Sequence, residues 1–136
     1  MFGNILVPVD ESRRCEEAMK IAVGLATDTV YPLHVIEVIA DTTFEEFEDF
    51  YRRLERQAHR DMDSLLAFID DTGPNVEPKI VYGARAAEIL QSAENLNIDL
   101  IVMQSHRIDP RDPTRGWGTL SHKIGILASC PVMLVK

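Results

Sequence analysis

The chain alternates short apolar runs with longer segments in which apolar residues recur every three or four positions. Consecutive apolar residues are typical of a parallel strand buried on both faces, and NILVPV at 4–9 and DLIVMQ at 99–104 have this form. The same pattern, bounded by glycine, proline or polar residues, predicts five strands. They cover residues 4–9, 33–38, 79–82, 99–104 and 131–136.

The intervening segments have the spacing of amphipathic helices, with one apolar side and one polar side. The first helix is expected after Ser12, which can cap it, and the second at Thr43 and Glu46, which form a capping-box pattern. This second helix is long, reaching Ile69, and has a strongly charged outer face. The two remaining helices are expected across residues 86–96 and 119–129.

Strands that alternate with helices predict an α/β fold: a doubly wound, five-stranded parallel sheet with helices on both faces. The length and the continuous alternation fit one domain across residues 1–136. In such sheets the ligand crevice lies beyond the carboxyl ends of the strands, where the strand order reverses. With the first and fourth strands as neighbours at that point, Asp10 and the loop at 104–119 would face one cleft.

The net charge of −8 argues against a protein that binds nucleic acid or a bilayer surface, because both functions need positive patches. No apolar run approaches the roughly 20 residues of a membrane-spanning helix, and the first residues enter a strand without a basic leader. Cys15 and Cys130 are the only cysteines and lack CxxC spacing, which favours a reducing compartment and no metal site. We therefore expect a cytoplasmic protein.

Four segments carry a resemblance to a known family: ILVPVD at the start, LHVIEV in the second strand, DLIVMQSH in the fourth, and GTLSHKIGILASCPVMLVK at the end. Over nearly its whole length the chain resembles a universal stress protein. The resemblance implies the adenine nucleotide alpha hydrolase-like form of the α/β fold and a stress-response or regulatory role. It also implies a homodimer that pairs the final strand, 131–136, whose apolar edge would otherwise be exposed.

Many members of that family bind ATP through a motif of glycine, two residues, glycine, nine residues and then Gly-Ser or Gly-Thr. Here Gly118 and Thr119 match the last element, whereas Gln104 and Arg107 occupy the first two glycine positions. The spacer before Gly118 has ten residues instead of nine, and SHRI resembles the SHRP of one subgroup of the family. The ligand that the resemblance implies is ATP or another adenine nucleotide, with or without Mg²⁺.

The resemblance also indicates which positions would contact the nucleotide. The end of the first strand would meet the adenosine part, Val35 would line the adenine pocket, and Met103 would lie beside the nucleoside. The start of the last helix would contact the phosphates. The twelve predicted site residues are Pro8, Val9, Asp10, Val35, Met103, Gln104, Ser105, His106, Arg107, Gly118, Thr119 and Leu120.

The residues alone leave several of these roles open. The N–H groups of a helix start and the Thr119 hydroxyl suit an anion, but Thr119 or Ser121 would equally serve as a simple helix cap. Asp10 can hold a nucleoside or stabilise the helix that follows it. The side chains of Gln104 and Arg107 either fill space that phosphates need or replace the main-chain contacts that glycines allow.

No catalytic residue is predicted. The sequence lacks a Walker lysine, a dedicated general base and a clear pair of metal-binding acids, so any turnover of ATP would be slow. Cys130 has no base in a recognisable triad with it and is expected to be a packing residue.

The alternative function is a universal stress domain that binds no nucleotide and acts as a dimeric protein-interaction module. The replacement of glycine by Gln104 and Arg107 favours this alternative. The retention of Asp10, Val35 and Gly118-Thr119 favours the nucleotide binder.

Overall fold

The computed structural model of the chain describes residues 1–10, 15–38, 45–104 and 120–136. Strands and helices follow one another through these ranges. The strands are β1 (Phe2–Val9), β2 (Ala26–Glu37), β3 (Asn75–Val76), β4 (Lys79–Gly83), β5 (Leu100–Gln104) and β6 (Val132–Val135). The helices are α1 (Cys15–Leu25), α2 (Glu48–Leu66), α3 (Arg85–Asn95) and α4 (Leu120–Leu127).

The strands form one parallel sheet with the order β3-β2-β1-β5-β6, in which β4 also pairs with β2. This confirms the predicted α/β fold with a doubly wound parallel sheet, but the described strands number six and not five. β3 and β4 pair with successive parts of β2, and β1 occupies the other edge of that strand, so β3 and β4 lie end to end in one strand position. Pro78, which separates them, has no N–H to donate and interrupts the ladder.

The start of β2 differs from the prediction. The strand begins at Ala26, and not at residue 33, because its first residues pair with β1, with Phe2 opposite Ala26 and Asn4 opposite Thr29. Thr27 and Asp28 are exposed, so this part of the strand has the polar composition of a loop. The Thr27 hydroxyl donates a hydrogen bond to the Phe2 carbonyl at 3.3 Å, which joins the segment to β1.

The start of α2 also differs, since the helix begins at Glu48 and not at the capping box of Thr43 and Glu46. Its N-cap residue, Phe47, makes no side-chain cap bond. Acidic residues occupy the first turn, where the positive end of the helix dipole favours them. Thr43 lies outside the described residues, as does Ser12, the predicted cap of the first helix.

The central strand β1 divides the core into two clusters because successive side chains point to opposite faces of a sheet. Ile5 packs with α1 and with Leu65 of α2 on one face. Leu6 packs with Ile89 of α3 and Ile124 of α4 on the other face. Both β1 side chains are fully buried, so α1 and α2 cover one side of the sheet while α3 and α4 cover the opposite side.

A carboxylate joins the amino-terminal ends of β1 and β5. Asp99 accepts hydrogen bonds from the backbone N–H groups of Gly3 at 2.9 Å and Asn4 at 3.2 Å. Its own N–H donates to the Asn4 carbonyl at 3.0 Å. Hydrogen bonds to an ionised acceptor are stronger than neutral ones, so Asp99 stabilises the register that places Ile5 opposite Leu100.

Tyr82 links β4 to α2 through a hydrogen bond and an aromatic contact. Its phenolic O–H donates to Glu55 Oε2 at 2.6 Å, and its ring packs edge-on against the buried Tyr51 ring at a centroid distance of 6.1 Å. Burial and the adjacent Glu55 carboxylate raise the pKa of Tyr82 to about 12. A phenolate here would be desolvated and would face a like charge. The folded protein therefore holds this proton more tightly than the unfolded chain, in which the pKa of tyrosine is about 10.

Replacing Tyr82 with phenylalanine should lower the free energy of unfolding by about 1 kcal/mol at about pH 7, since a hydrogen bond to a charged acceptor is lost. The wild-type advantage should persist up to about pH 10 and disappear as the pH approaches about 12, where the folded protein loses the Tyr82 proton. Urea denaturation at about pH 7, 9 and 11 measures the difference, with Tyr31→Phe as the control for a phenol lost elsewhere. An advantage that is the same at about pH 11 as at about pH 7 would contradict the assignment.

Candidate functional site

The order in which the chain adds strands to the sheet reverses beside β1. From β1 it runs to β2 and then to the edge formed by β3 and β4, and it returns to the other side of β1 at β5 before it reaches β6. β1 and β5 pair through Ile5 with Leu100 and Leu6 with Ile101, so the first and fourth predicted strands are neighbours, which the predicted cleft needs. The carboxyl ends of these two strands are where an open α/β sheet leaves a crevice for a ligand.

A pocket of about 280 Å³ lies at this edge of the sheet. Seven of the twelve predicted site residues line it, although they come from β1, β2, β5 and the start of α4. These seven are Pro8, Val9, Asp10, Val35, Met103, Gln104 and Leu120. The other five, which are Ser105, His106, Arg107, Gly118 and Thr119, lie outside the described residues. The contacts predicted for the altered glycine motif therefore stay predictions.

One wall of the pocket is apolar. Val35 and Met103 are each 4% exposed, and Leu33 and Ile89 are each 1% exposed, so the wall is formed by side chains that also belong to the core. They pack in the cluster on the face that α3 and α4 cover. A fixed aliphatic surface of this kind suits a planar ring of low polarity, because ring and wall then bury apolar area together.

Asp10 provides a carboxylate at the end of β1. The Cys15 thiol, at the first residue of α1, donates to Asp10 Oδ1 over 3.7 Å and orients the carboxylate. An ionised carboxylate has about four acceptor positions, so a carboxylate at this place can accept hydrogen bonds from more than one donor. Cys15 lines the same pocket and was not among the predicted site residues.

Arg85, the first residue of α3, was also not predicted, although it lines this pocket and two adjoining cavities of about 540 and 450 Å³. Its Nε lies 3.5 Å from Glu37 Oε1 at the end of β2, and both side chains are about half exposed. Such an exposed ion pair contributes only about 0–1 kcal/mol, so an anionic ligand can replace Glu37 as the partner of the guanidinium. The sequence could have identified Arg85 as a site residue by its position just after a predicted strand, at the same carboxyl edge of the sheet.

Gly83 makes the turn that brings Arg85 to the pocket. Its φ is 153°, and a Cβ atom at this position would lie 2.5 Å from Glu88 Oε1. Glycine is the residue that meets both demands, because it has no Cβ and adopts positive φ without strain. α3 therefore begins two residues after β4 ends, with Arg85 at its start.

Gln104, at the last position of β5, has a side chain held by the neighbouring strand. Its Nε2 donates to the carbonyl oxygen of Val135 at 3.1 Å. Its Oε1 is buried and has no hydrogen-bond partner among the described residues. An unpaired buried acceptor costs about 1–3 kcal/mol.

The described part of the chain holds no group of three or more His, Cys, Asp or Glu side chains that could bind a metal ion. Burial and the nearby Asp99 carboxylate raise the pKa of Cys130, which keeps this thiol protonated and a poor nucleophile. In the same ranges, no helix is both long enough and apolar enough to cross a membrane.

Comparison with known proteins identifies relatives that match over the full length. Universal stress protein YxiE of Bacillus subtilis is 27% identical over 149 residues, with 100% of both chains covered. The structure of MJ0577, a universal stress protein of Methanocaldococcus jannaschii, has a TM-score of 0.81 at 29% identity and covers 100% of this chain and 96% of that one.

Three more distant neighbours share the fold and were solved with a nucleotide. An Arabidopsis thaliana universal stress family protein with AMP bound has a TM-score of 0.67 at 21% identity, covering 98% of this chain and 91% of that one. A universal stress protein in complex with cAMP has a TM-score of 0.64 at 15% identity, covering 99% and 97%. The Archaeoglobus fulgidus protein in complex with dAMP has a TM-score of 0.61 at 19% identity, covering 98% of each chain.

The family model agrees with these individual matches. The model of the universal stress protein family matches residues 1–136, which is the whole of the sequence. The strand order, the reversal beside β1 and the pocket at the carboxyl edge are all contained in the matched region. The chain therefore belongs to the universal stress protein family.

Proposed function

We propose that this protein is a stress-response or regulatory binding protein whose ligand is ATP or a related adenine nucleotide, bound in the pocket at the ends of β1 and β5. The observation that carries the proposal is the convergence of seven predicted contact residues, from four separate elements, on one pocket. Relatives with the same fold bind AMP, cAMP and dAMP, which supports an adenine nucleotide as the ligand class. The proposal includes no catalytic step.

The chemistry of the walls matches the parts of such a ligand. The apolar wall with Val35 and Met103 suits the adenine ring, and the Asp10 carboxylate suits ribose hydroxyl groups. Arg85 suits a phosphate, since a guanidinium forms paired hydrogen bonds with phosphate oxygens. The contacts from 105–107 and 118–119 that the resemblance implies would complete the site.

Nucleotide analysis of the purified protein, followed by calorimetric titration with AMP, ADP and ATP, tests the proposal directly. We expect an adenine nucleotide to co-purify or to bind with a dissociation constant below about 1 mM, which corresponds to about −4 kcal/mol. Guanosine and cytidine nucleotides serve as controls for binding through phosphate alone. The absence of binding by all three adenine nucleotides at millimolar concentration would refute the proposal.

Replacing Arg85 with alanine should weaken AMP binding about tenfold and leave adenosine binding unchanged, because only the phosphate loses its charged partner. Calorimetric titration of both ligands measures the two effects. Arg60→Ala, which removes the same charge from the exposed face of α2, is the matched control and should change neither affinity. Equal losses for AMP and adenosine would show that Arg85 supports the pocket structurally and does not contact phosphate.

A second candidate function, the dimeric protein-interaction module, is favoured by the apolar surface around β6. Within the described sheet, β6 is an edge strand that pairs only with β5. Leu134 on this strand is 41% exposed, and Ile126 and Leu127 on the adjacent α4 are 67% and 62% exposed. We infer that two copies pair through this surface, because an open apolar edge strand is otherwise a site of uncontrolled association. Dimerisation is compatible with either function.

Replacing Leu134 with lysine should convert the dimer to a monomer at micromolar concentration, since the substitution buries a charge in the apolar contact. Sedimentation equilibrium of the wild type and the variant gives the masses. Phe68→Lys is the control, since Phe68 is 42% exposed just beyond the end of α2, and it should leave the mass unchanged. A monomeric wild type would contradict the proposed interface.

Cytoplasmic localisation is also part of the proposal. Cys15 and Cys130 are free thiols, and free thiols persist in compartments that are kept reduced.

A further inference from the structure

We infer that Glu37 is a built-in competitor for the phosphate of the ligand, and that Arg85 exchanges Glu37 for this phosphate when the ligand binds. The inference rests on the nucleotide binding proposed above and adds a second residue that sets its strength. Three observations carry it: the ion pair between the two side chains, the cavities that each side chain lines, and the exposure of the pair.

Arg85 lies where three cavities meet. It lines the pocket of about 280 Å³ and the two adjoining cavities of about 540 and 450 Å³. Glu37 lines the two adjoining cavities, and among the described residues it is not part of the wall of the 280 Å³ pocket. The guanidinium therefore has a carboxylate on its outer side, whereas the phosphate of a ligand in the pocket would approach it from its inner side.

The ion pair between the two residues is weak enough to be exchanged. Arg85 Nε lies 3.5 Å from Glu37 Oε1, and the two side chains are 44% and 58% exposed. Water and salt screen such a pair, so it favours the paired arrangement by no more than about fivefold. A phosphate monoester carries a charge of about −1.5 to −2 at pH 7 and accepts paired hydrogen bonds from a guanidinium. Arg85 should therefore prefer the phosphate to the singly charged carboxylate.

The exchange reduces the affinity for a phosphorylated ligand. The Glu37 carboxylate must first leave the guanidinium, and this step subtracts from the free energy of binding. Lys123 of α4 lines the 450 Å³ cavity together with Glu37, so the released carboxylate stays near a second cation. Adenosine has no phosphate and leaves the pair intact. Glu37 therefore weakens the binding of adenine nucleotides and leaves the binding of the nucleoside unchanged.

Calorimetric titration of the wild type and Glu37→Gln with AMP and with adenosine tests the competition. Glu37→Gln keeps the size of the side chain and removes its charge, so AMP binding should tighten about two- to fivefold. Adenosine binding should stay the same. Glu94→Gln removes the same charge from an exposed position near the other end of α3, and it should change neither affinity. AMP binding that is unchanged or weaker in Glu37→Gln would overturn the inference.

The same comparison in the Arg85→Ala background separates competition from simple repulsion. Without a guanidinium to compete for, the gain in AMP affinity from Glu37→Gln should disappear. A gain of the same size in both backgrounds would show that Glu37 only repels the phosphate, and it would overturn the exchange. Cooperative thermal unfolding of each variant verifies that the compared proteins are folded.

The NMR signal of the Arg85 Nε–H group reports the partner of the guanidinium without relying on an affinity. AMP should shift this signal in the wild type, whereas adenosine should leave it in place. Glu37→Gln should shift the signal of the ligand-free protein and leave that of the AMP complex unchanged, because the partner in the complex is the phosphate. A signal that depends on Glu37 equally with and without AMP would show that the ion pair persists and would contradict the exchange.

The outcomes distinguish this inference from the proposed function. AMP binding to the wild type with no gain in Glu37→Gln would remove the role of Glu37 and leave nucleotide binding intact. Failure of adenosine, AMP and ATP all to bind the wild type would refute the proposed function and this inference with it.

Discussion

The burial of β1 on both faces and the pairing of both its edges constrain the rest of the structure. Ile5 and Leu6 face opposite helical layers and are fully buried, while β2 and β5 occupy the two edges of the strand. A strand in this position forces the chain to continue to one side first and to the other side later. The order β3-β2-β1-β5-β6 shows this reversal, which leaves a gap beyond the carboxyl end of β1.

The elements that meet at this gap determine the properties of the pocket. Core strands supply the apolar wall, so Val35 and Met103 are positioned by packing and not by a flexible loop. The polar groups lie at the ends of elements, with Asp10 after β1, Gln104 closing β5 and Arg85 opening α3. Rigid elements that end together therefore present an apolar surface, the Asp10 carboxylate and the Arg85 guanidinium. Gln104 also connects the pocket to β6, the edge strand proposed for dimerisation, through its bond to Val135.

Local pattern was sufficient to predict the elements with consecutive or strictly periodic apolar residues. β1, β5 and the long α2 were predicted because burial on both faces, or on one helical stripe, dictates their composition. The first part of β2 was not, because Thr27 and Asp28 are exposed and only their pairing with β1 makes them a strand. The capping box before α2 was a local signal, and the helix begins later, at Glu48.

The site residues likewise include some that the sequence could predict and some that it could not. The residues that resemblance indicated on β1, β2 and β5 line one pocket, since strand ends are fixed once the topology is fixed. Arg85 had no motif around it, and its place depends on the turn at Gly83 and on the neighbouring β2. The hydrogen bonding of the Gln104 side chain could not be predicted, because its partner is the carbonyl group of Val135, 31 residues away along the chain. Contacts between distant positions are decided by packing, which sequence patterns do not specify.

The proposed function requires that an adenine nucleotide occupies the carboxyl edge of the sheet between β1 and β5. The most direct measurement is a titration of isotope-labelled protein with AMP, followed by the chemical shifts of the backbone amides. We expect the largest shifts at Asp10, Val35, Gln104 and Leu120, with the outer face of α2 unaffected. Saturable binding whose largest shifts lie on α2 or on the outer edge of β6, with these four amides unchanged, would contradict it.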